Sequence, residues 1–243
     1  MRSAYWVAFA IAALAALSPA ASAQQNLFNV PSGEVTPAYK LFYQQQTNFT
    51  GGSIQTNTTL DFGLGHGLEV GLNVFDVPLY APNLGSNPDT RGIQQPDVLV
   101  NGLKSFTITE RFRVAVGTQF GQTAPVYQSR VRPVNFTYSV AAFDLPEERG
   151  TLYGGAYYSN RNYRGTGVPL GVMVGCDIPI VEKKLHFMAD LIGGNNDLSL
   201  AVLGVVVYLP HNWQLSLGAQ FPSPGSNNPY GGVLELTYVP GKD

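Results

Sequence analysis

The sequence predicts an all-β protein, a closed antiparallel up-and-down transmembrane β-barrel of about 12 strands. Three observations predict it. Short segments alternate apolar and polar residues, the connections between them are alternately long and short, and the chain opens with an export signal. A period of two puts the faces of a sheet in different surroundings. Alternating turn lengths are what an even-stranded barrel with both termini at one end requires.

Residues 1–23 read as a cleavable signal peptide. Arg2 precedes an apolar stretch from Tyr5 to Leu17, then Ser18-Pro19, and Ala21-Ser22-Ala23 supplies the small residues inspected by signal peptidase. The stretch is shorter than the roughly 20 apolar residues of a spanning helix, and Gln24-Gln25-Asn26 ends it. No Cys follows the cleavage point to carry a lipid anchor. The rest divides into a short N-terminal segment (24–33), a barrel domain (34–239) and a C-terminal tail (240–243).

The first strand is expected at 35–46, with Pro37 interrupting its start. Over 53–64, Ile54, Thr56, Thr58, Leu60, Phe62 and Leu64 oppose Gln55, Asn57, Thr59, Asp61 and Gly63. Gly65-His66-Gly67 turns the chain into 67–76, where Leu68, Val70, Leu72 and Val74 oppose Glu69, Gly71 and Asn73. In 97–109 the pattern is blurred by Lys104 on one face and Asn101 on the other. The strand 112–121 sets Val114, Val116 and Phe120 against Arg113, Gly117 and Gln119. The strand 134–142 sets Val134, Phe136, Tyr138 and Val140 against Asn135, Thr137, Ser139 and Ala141. After 151–159 come 170–178, with Val172, Val174 and Cys176 on one face, and 185–191, with Leu185, Phe187 and Leu191 opposing His186, Met188 and Asp190. The run 198–209 is apolar on both faces, so parity assigns it no outside; its Val content favours a strand. In 213–221, Trp213, Leu215, Leu217 and Phe221 oppose Gln214, Ser216, Gly218 and Gln220, and 233–239 completes the set.

The connections sort by length. Short turns at 65–67, 110–111, 144–150, 179–184 and 210–212 alternate with longer loops at 77–96, 122–133, 160–169 and 222–232, and shorter ones at 47–52 and 192–197. Most strands have 9 to 12 residues, close to the roughly 9 to 11 with which a tilted strand crosses a bilayer. Closure removes the sheet edge, whose unpaired backbone groups would find no water in lipid. Aromatics near strand ends, among them Tyr43, Phe62, Phe112, Trp213 and Tyr238, fit interfacial girdles.

Composition agrees. Only 12% of residues are charged, about half the usual share, as suits a chain with lipid outside and a modest polar interior. Without residues 1–23, 220 residues carry 13 Lys and Arg against 16 Asp and Glu, a net of −3. This excludes the strongly basic field expected of a nucleic-acid binder. Cys176 is alone, so no intramolecular disulfide exists, and its apolar run makes it a small buried or lipid-facing hydrophobe.

With the apolar faces outward, the lumen receives Lys40, Asp61, Glu69, Arg113, Gln119, His186, Asp190, Gln214, Gln220 and Glu235. Both signs occur, which predicts weak ion selectivity or a filled, non-conducting interior. The outer loops carry Arg91, Arg130, Arg132, Arg161 and Arg164 against Asp89 and Asp197. Arg forks match phosphate and carboxylate, so this rim is a candidate anion contact. No catalytic machinery is expected. His66 and His211 fall in turns, and His186 with Asp190 is half a triad without a neighbouring Ser. No spacing supports a metal site or a cofactor, and Gly63-Leu64-Gly65-His66-Gly67 leads into a strand rather than the helix a phosphate cradle needs.

From Glu34 to Val239 the strand pattern resembles single-chain bacterial outer-membrane β-barrel proteins, among them substrate-selective porins and channel-like barrels for aromatic or other small compounds. It is a resemblance of pattern, carried by no diagnostic motif. It implies a bacterial cell outer membrane location, contact with membrane lipid and lipopolysaccharide, delivery by the outer-membrane assembly machinery, and small solutes as cargo. The C-terminus departs from that pattern, since Tyr238 is followed by Val239-Pro240-Gly241-Lys242-Asp243 rather than closing the chain. Two other readings remain: a non-conducting structural or adhesion barrel with surface-binding loops, in which loop 77–96 serves as the contact, and a secreted soluble β-sandwich.

Overall fold

A computed structural model describes residues 26–80, 96–124 and 130–241. Its strands are β1 (Leu41–Thr50), β2 (Ser53–Gly65), β3 (Leu68–Tyr80), β4 (Asp97–Thr109), β5 (Phe112–Thr123), β6 (Pro133–Asp144), β7 (Thr151–Ser159), β8 (Leu170–Val181), β9 (Leu185–Gly193), β10 (Leu200–Tyr208), β11 (Trp213–Pro222) and β12 (Gly231–Tyr238). Each pairs antiparallel with its sequence neighbours, and β12 returns to β1 with Tyr43 opposite Tyr238, so the sheet closes as a 12-strand barrel. A two-sheet sandwich is therefore not the architecture. The start of β1, the end of β12 and the turns after β2, β4, β6, β8 and β10 share one end, here the turn end; the other connections form the loop end.

Several boundaries differ from the sequence expectation. β1 begins at Leu41, not 35, because Pro37 has no N–H to give a ladder and Tyr39 turns the chain at φ 61°. It continues to Thr50, so Gly51-Gly52 alone makes the turn expected over 47–52. β3 runs to Tyr80 past a bulge at Phe75–Asp76, where Asp76 has φ 57° and its N–H is held by Asn57 Oδ1 at 2.8 Å. The signal peptide, Arg91 and most of loop 77–96 lie outside the described residues.

The exterior carries a continuous band of exposed apolar side chains, including Leu60, Val70, Val100, Val116, Val172 and Leu217. Cys176 lies in this face, half-buried beside Leu152 and Ala189 on the flanking strands. At the turn end the outward rings of Tyr43, Trp213 and Tyr238 meet in series, the first pair edge-to-face and the second tilted, with centroids 6.5 Å and 5.4 Å apart. Lys104 also points outward. Its ammonium lies 5.3 Å from the Phe106 ring and donates to the His66 carbonyl, so the stem covers apolar surface while the charge reaches the turn end.

One strand reverses its expected faces. On β6, Val134, Phe136, Tyr138, Val140 and Ala142 are buried inside the barrel, while Ser139 is exposed and Asn135 and Thr137 face outward. Thr137 shares a 2.9 Å hydrogen bond with Thr118 on the outer face of β5, so the outward hydroxyls satisfy one another. On β10, where parity was silent, Val202, Val206 and Tyr208 point inward and Leu203 outward.

The inward face of β6 has an apolar partner. The lumen is amphipathic: strands β6–β10 line one half with Tyr153, Tyr157, Met173, Met188 and Val202, and β1–β4, β11 and β12 line the other with amides, hydroxyls and carboxylates. Against the apolar half packs the segment 26–36, which begins at Asn26 inside the lumen, crosses the barrel interior and leads to the turn end at Pro37. Leu27, Phe28 and Val30 are at most 2% exposed, and each such burial contributes about 1.5–3 kcal/mol as an upper estimate. The Phe28 ring sits on Gly204 and Gly218, where a Cβ would come within 2.7 and 2.9 Å of it. Gly63 serves the segment's other end, because a Cβ there would lie 2.2 Å from the Pro37 carbonyl oxygen.

Candidate functional site

Backbone amides inside a barrel need partners, and inward carboxylates supply them. Asp190 Oδ2 on β9 accepts the N–H of Asn29 at 2.5 Å and of Val30 at 2.9 Å. Glu69 Oε2 on β3 accepts both the N–H and the hydroxyl of Thr36 at 2.6 Å. Arg113 on β5 bridges Glu34 at 2.8 Å and Asp144 at 3.0 Å. Pro31 and Pro37 present no N–H that would need a partner, and Leu27 N–H returns to the Val30 carbonyl at 2.9 Å, closing a tight turn. Asn26 also donates to Gln44 Oε1 of β1 at 3.2 Å, so the segment is a strut fixed to the wall at Asp190, Glu69, Arg113 and Gln44.

Above the strut, towards the loop end, lies a cavity of about 480 Å³, within the size range of small-molecule sites. Its floor is Asn26, Phe28, Asn29, Pro31 and Glu34 from the segment itself. One wall is polar, from Gln44, Gln46, Asn57, Asp61, Asn73 and Asn101; the facing wall is aromatic and aliphatic, from Phe136, Tyr138, Tyr163, Ile192 and Leu200. The rim is built by the one-turn helix Arg161–Arg164 and by Asp197, Asn227 and Asn228.

Asp197 organises the rim. Its Oδ2 accepts the N–H of Thr166 at 2.6 Å and the Thr166 hydroxyl at 2.9 Å, and its Oδ1 accepts the Asn227 amide at 2.8 Å. Burial raises its pKa, but these hydrogen bonds to the charged form outweigh it and leave the carboxyl below its ordinary value. Arg164 stands beside it with its guanidinium spent on backbone, donating to Gly167 O at 2.8 and 3.1 Å.

The predicted lumen residues separate into distinct places. Asp61, Glu69, Gln119 and Gln220 line the cavity. Asp190 is buried below it and Arg113 is at the turn end, both holding the strut. Gln214 and Glu235 are buried in the polar half, where Ser216 donates to Glu235 Oε1 at 3.3 Å. His186 pairs with Asp177 of β8 at 2.7 Å and lies edge-on to Tyr208, while Asp190, on the same face of β9, is taken by the strut. Lys40 precedes β1 instead of lining the lumen, and its Nζ donates to Gly241 O at 2.6 Å, tying the chain just before β1 to the chain just after β12 at the turn end.

The loop arginines differ in what the structure shows of them. Arg130, Arg132 and Arg161 are exposed, Arg164 is turned to the loop backbone, and Arg91 lies outside the described residues. Among the described residues no group of three or more His, Cys, Asp or Glu side chains could hold a metal ion. Sequence reasoning passed over Asn29, Val30 and Thr36, the aromatic wall of β6, and Asp76 and Asp97. The signal for the strut was present as Leu27-Phe28-Asn29-Val30, an apolar run between the export signal and Pro31 that no strand absorbs. No protein-family profile matches the chain, and no curated protein is significantly similar to it in sequence.

Proposed function

We propose that the protein is a bacterial outer-membrane β-barrel that binds small solutes in its loop-side cavity and passes them when the N-terminal strut gives way. The observation that carries this reading is a closed barrel with an apolar exterior band enclosing a solute-sized polar cavity, floored by a segment held through hydrogen bonds and one ion pair. In this setting the exposed Arg130, Arg132 and Arg161 meet lipopolysaccharide phosphate, and the Tyr43–Trp213–Tyr238 series sits at the inner interface.

The strut also favours a second reading, a non-conducting barrel whose filled lumen supports surface-binding loops. Single-channel recording of the detergent-purified protein in a planar bilayer separates the two. A conducting barrel gives small or infrequent steps as wild type and larger steps once Asp190→Ala and Glu69→Ala release the strut. Silence from both folded proteins favours the non-conducting reading, and solubility without detergent overturns the membrane assignment.

A further inference from the structure

Three acceptor oxygens of cavity-lining residues meet no hydrogen-bond donor among the described residues: Oδ1 of Asp97, Oδ1 of Asn101 and Oε1 of Gln119. They lie along one strip of wall, about 13 Å from end to end. Asp97 and Asn101 lie four residues apart on the inward face of β4, and Asn101 is the register partner of Gln119 on β5. Asn101 cannot simply reverse its amide, because its Nδ2 donates to Asp61 Oδ1 at 2.7 Å and to Asn73 Oδ1 at 3.2 Å. Asp97 is only 5% exposed. Asp76 also lines the cavity, next to Phe75, the register partner of Asp97. No cation pairs with either carboxylate among the described residues.

Buried acceptors without donors are costly, and a buried unpaired carboxylate more so. A ligand that corrects both deficits brings several N–H donors and a positive charge. The adjoining wall suits the rest of such a molecule. Gln119 is the register partner of Phe136 on β6, whose ring lies 5.6 Å from Tyr138 and 5.7 Å from Tyr163. Ring faces attract cations and pack on flat apolar bodies. Burial, then the charges of Asp76 and Asp97, holds the Tyr163 phenol above its ordinary pKa, so it meets a ligand as a neutral ring and donor. The lining acids outnumber the bases, since Arg164 is the one lining base among the described residues and each of its three nitrogens already donates to loop backbone. The absence of a metal-holding cluster among these residues points away from a bare divalent ion.

We propose that the cavity binds a small organic cation, an ammonium, amidinium or guanidinium on a compact apolar body, with its head at Asp97, Asn101 and Gln119 and its body against Phe136 and Tyr163. This inference rests on the solute-binding reading above and names its substrate class. Calorimetric titration of the detergent-purified full chain with benzamidine, benzyl alcohol and benzoate tests it on the wild-type protein. Benzamidine is expected to bind at least about tenfold more tightly than the neutral and anionic probes, and less tightly as salt is raised. Asp97→Asn, which keeps the shape, should lose about tenfold or more of benzamidine affinity while the heat-dependent gel mobility of a folded barrel is retained. Equal binding of benzyl alcohol, preference for benzoate, or no binding of any probe overturns the proposal. Benzamidine binding by a protein that needs no detergent would overturn the membrane reading and keep this one. A detergent-dependent, conducting barrel indifferent to benzamidine would do the reverse.

Discussion

Asp190 and Val30 are 160 residues apart in the chain and joined by a 2.9 Å hydrogen bond inside the barrel, the carboxylate of β9 accepting a backbone amide of the N-terminal strut. This contact, doubled by Asn29, makes the first residues of the described chain part of the lumen wall.

Asp190→Ala leaves two buried amides without an acceptor, so the barrel should lose about 1–3 kcal/mol of stability. The strut should also become cleavable at 26–36 by an added protease. A midpoint of unfolding and a cleavage pattern both equal to wild type would show that the carboxylate does not hold the segment.

Arg113 joins Glu34 of the strut to Asp144 at the turn end. Arg113→Ala removes the cation shared by both carboxylates, and the same strut cleavage should rise. The double variant Arg113→Ala with Glu34→Ala should recover part of the loss, because the carboxylate charge goes together with its counter-ion. Strictly additive losses would argue against the pair.

The faces of β5 and β6 make opposite predictions for similar residues. Val116→Arg places a charge on the exterior band and should cost about 2–4 kcal/mol in a bilayer, as should Val70→Arg. Val140→Arg places it in the apolar core and should block folding, whereas Ser139→Leu, on the outer face of the same strand, should assemble normally. Yield of heat-shiftable folded barrel reads all four, and normal assembly of Val140→Arg would invalidate the inward face of β6.

The loop end should be stable at neutral pH and loosen in acid. Asp197 is held below its ordinary pKa by hydrogen bonds, so its contribution is full above the unfolded-state value and is lost as pH falls through the lower folded-state value. Hydrogen exchange at Thr166 and Asn227 should accelerate only below the ordinary Asp range, and Asp197→Asn should remove that pH dependence. Exchange that is unchanged by acid in the wild type would contradict this role.

The strands were legible wherever one face met water and the other did not. β2, β3, β5, β9 and β11 fall where alternation placed them within a few residues. β6 also alternates, but alternation says only that its faces differ and not which is inside. Phe136 faces inward where its ring meets Tyr157 of the adjacent β7 and Tyr163 of the loop helix, contacts no local window contains. The mixed charges of the lumen were likewise legible as a list and illegible as a field. Lys40 and Arg113 are drawn to the turn end by Gly241, Glu34 and Asp144, leaving Asp61, Asp76 and Asp97 to face the cavity.

By itself the sequence determined the number of strands, their antiparallel order and the closing of the sheet. Those follow from a period of two and from connection lengths, which are local properties of the chain. Only the tertiary structure decided what fills the barrel. The strut, the inverted β6 and the unmet acceptors of β4 and β5 depend on which groups meet across the lumen, and that is set by shape and by polar groups finding partners in a confined interior.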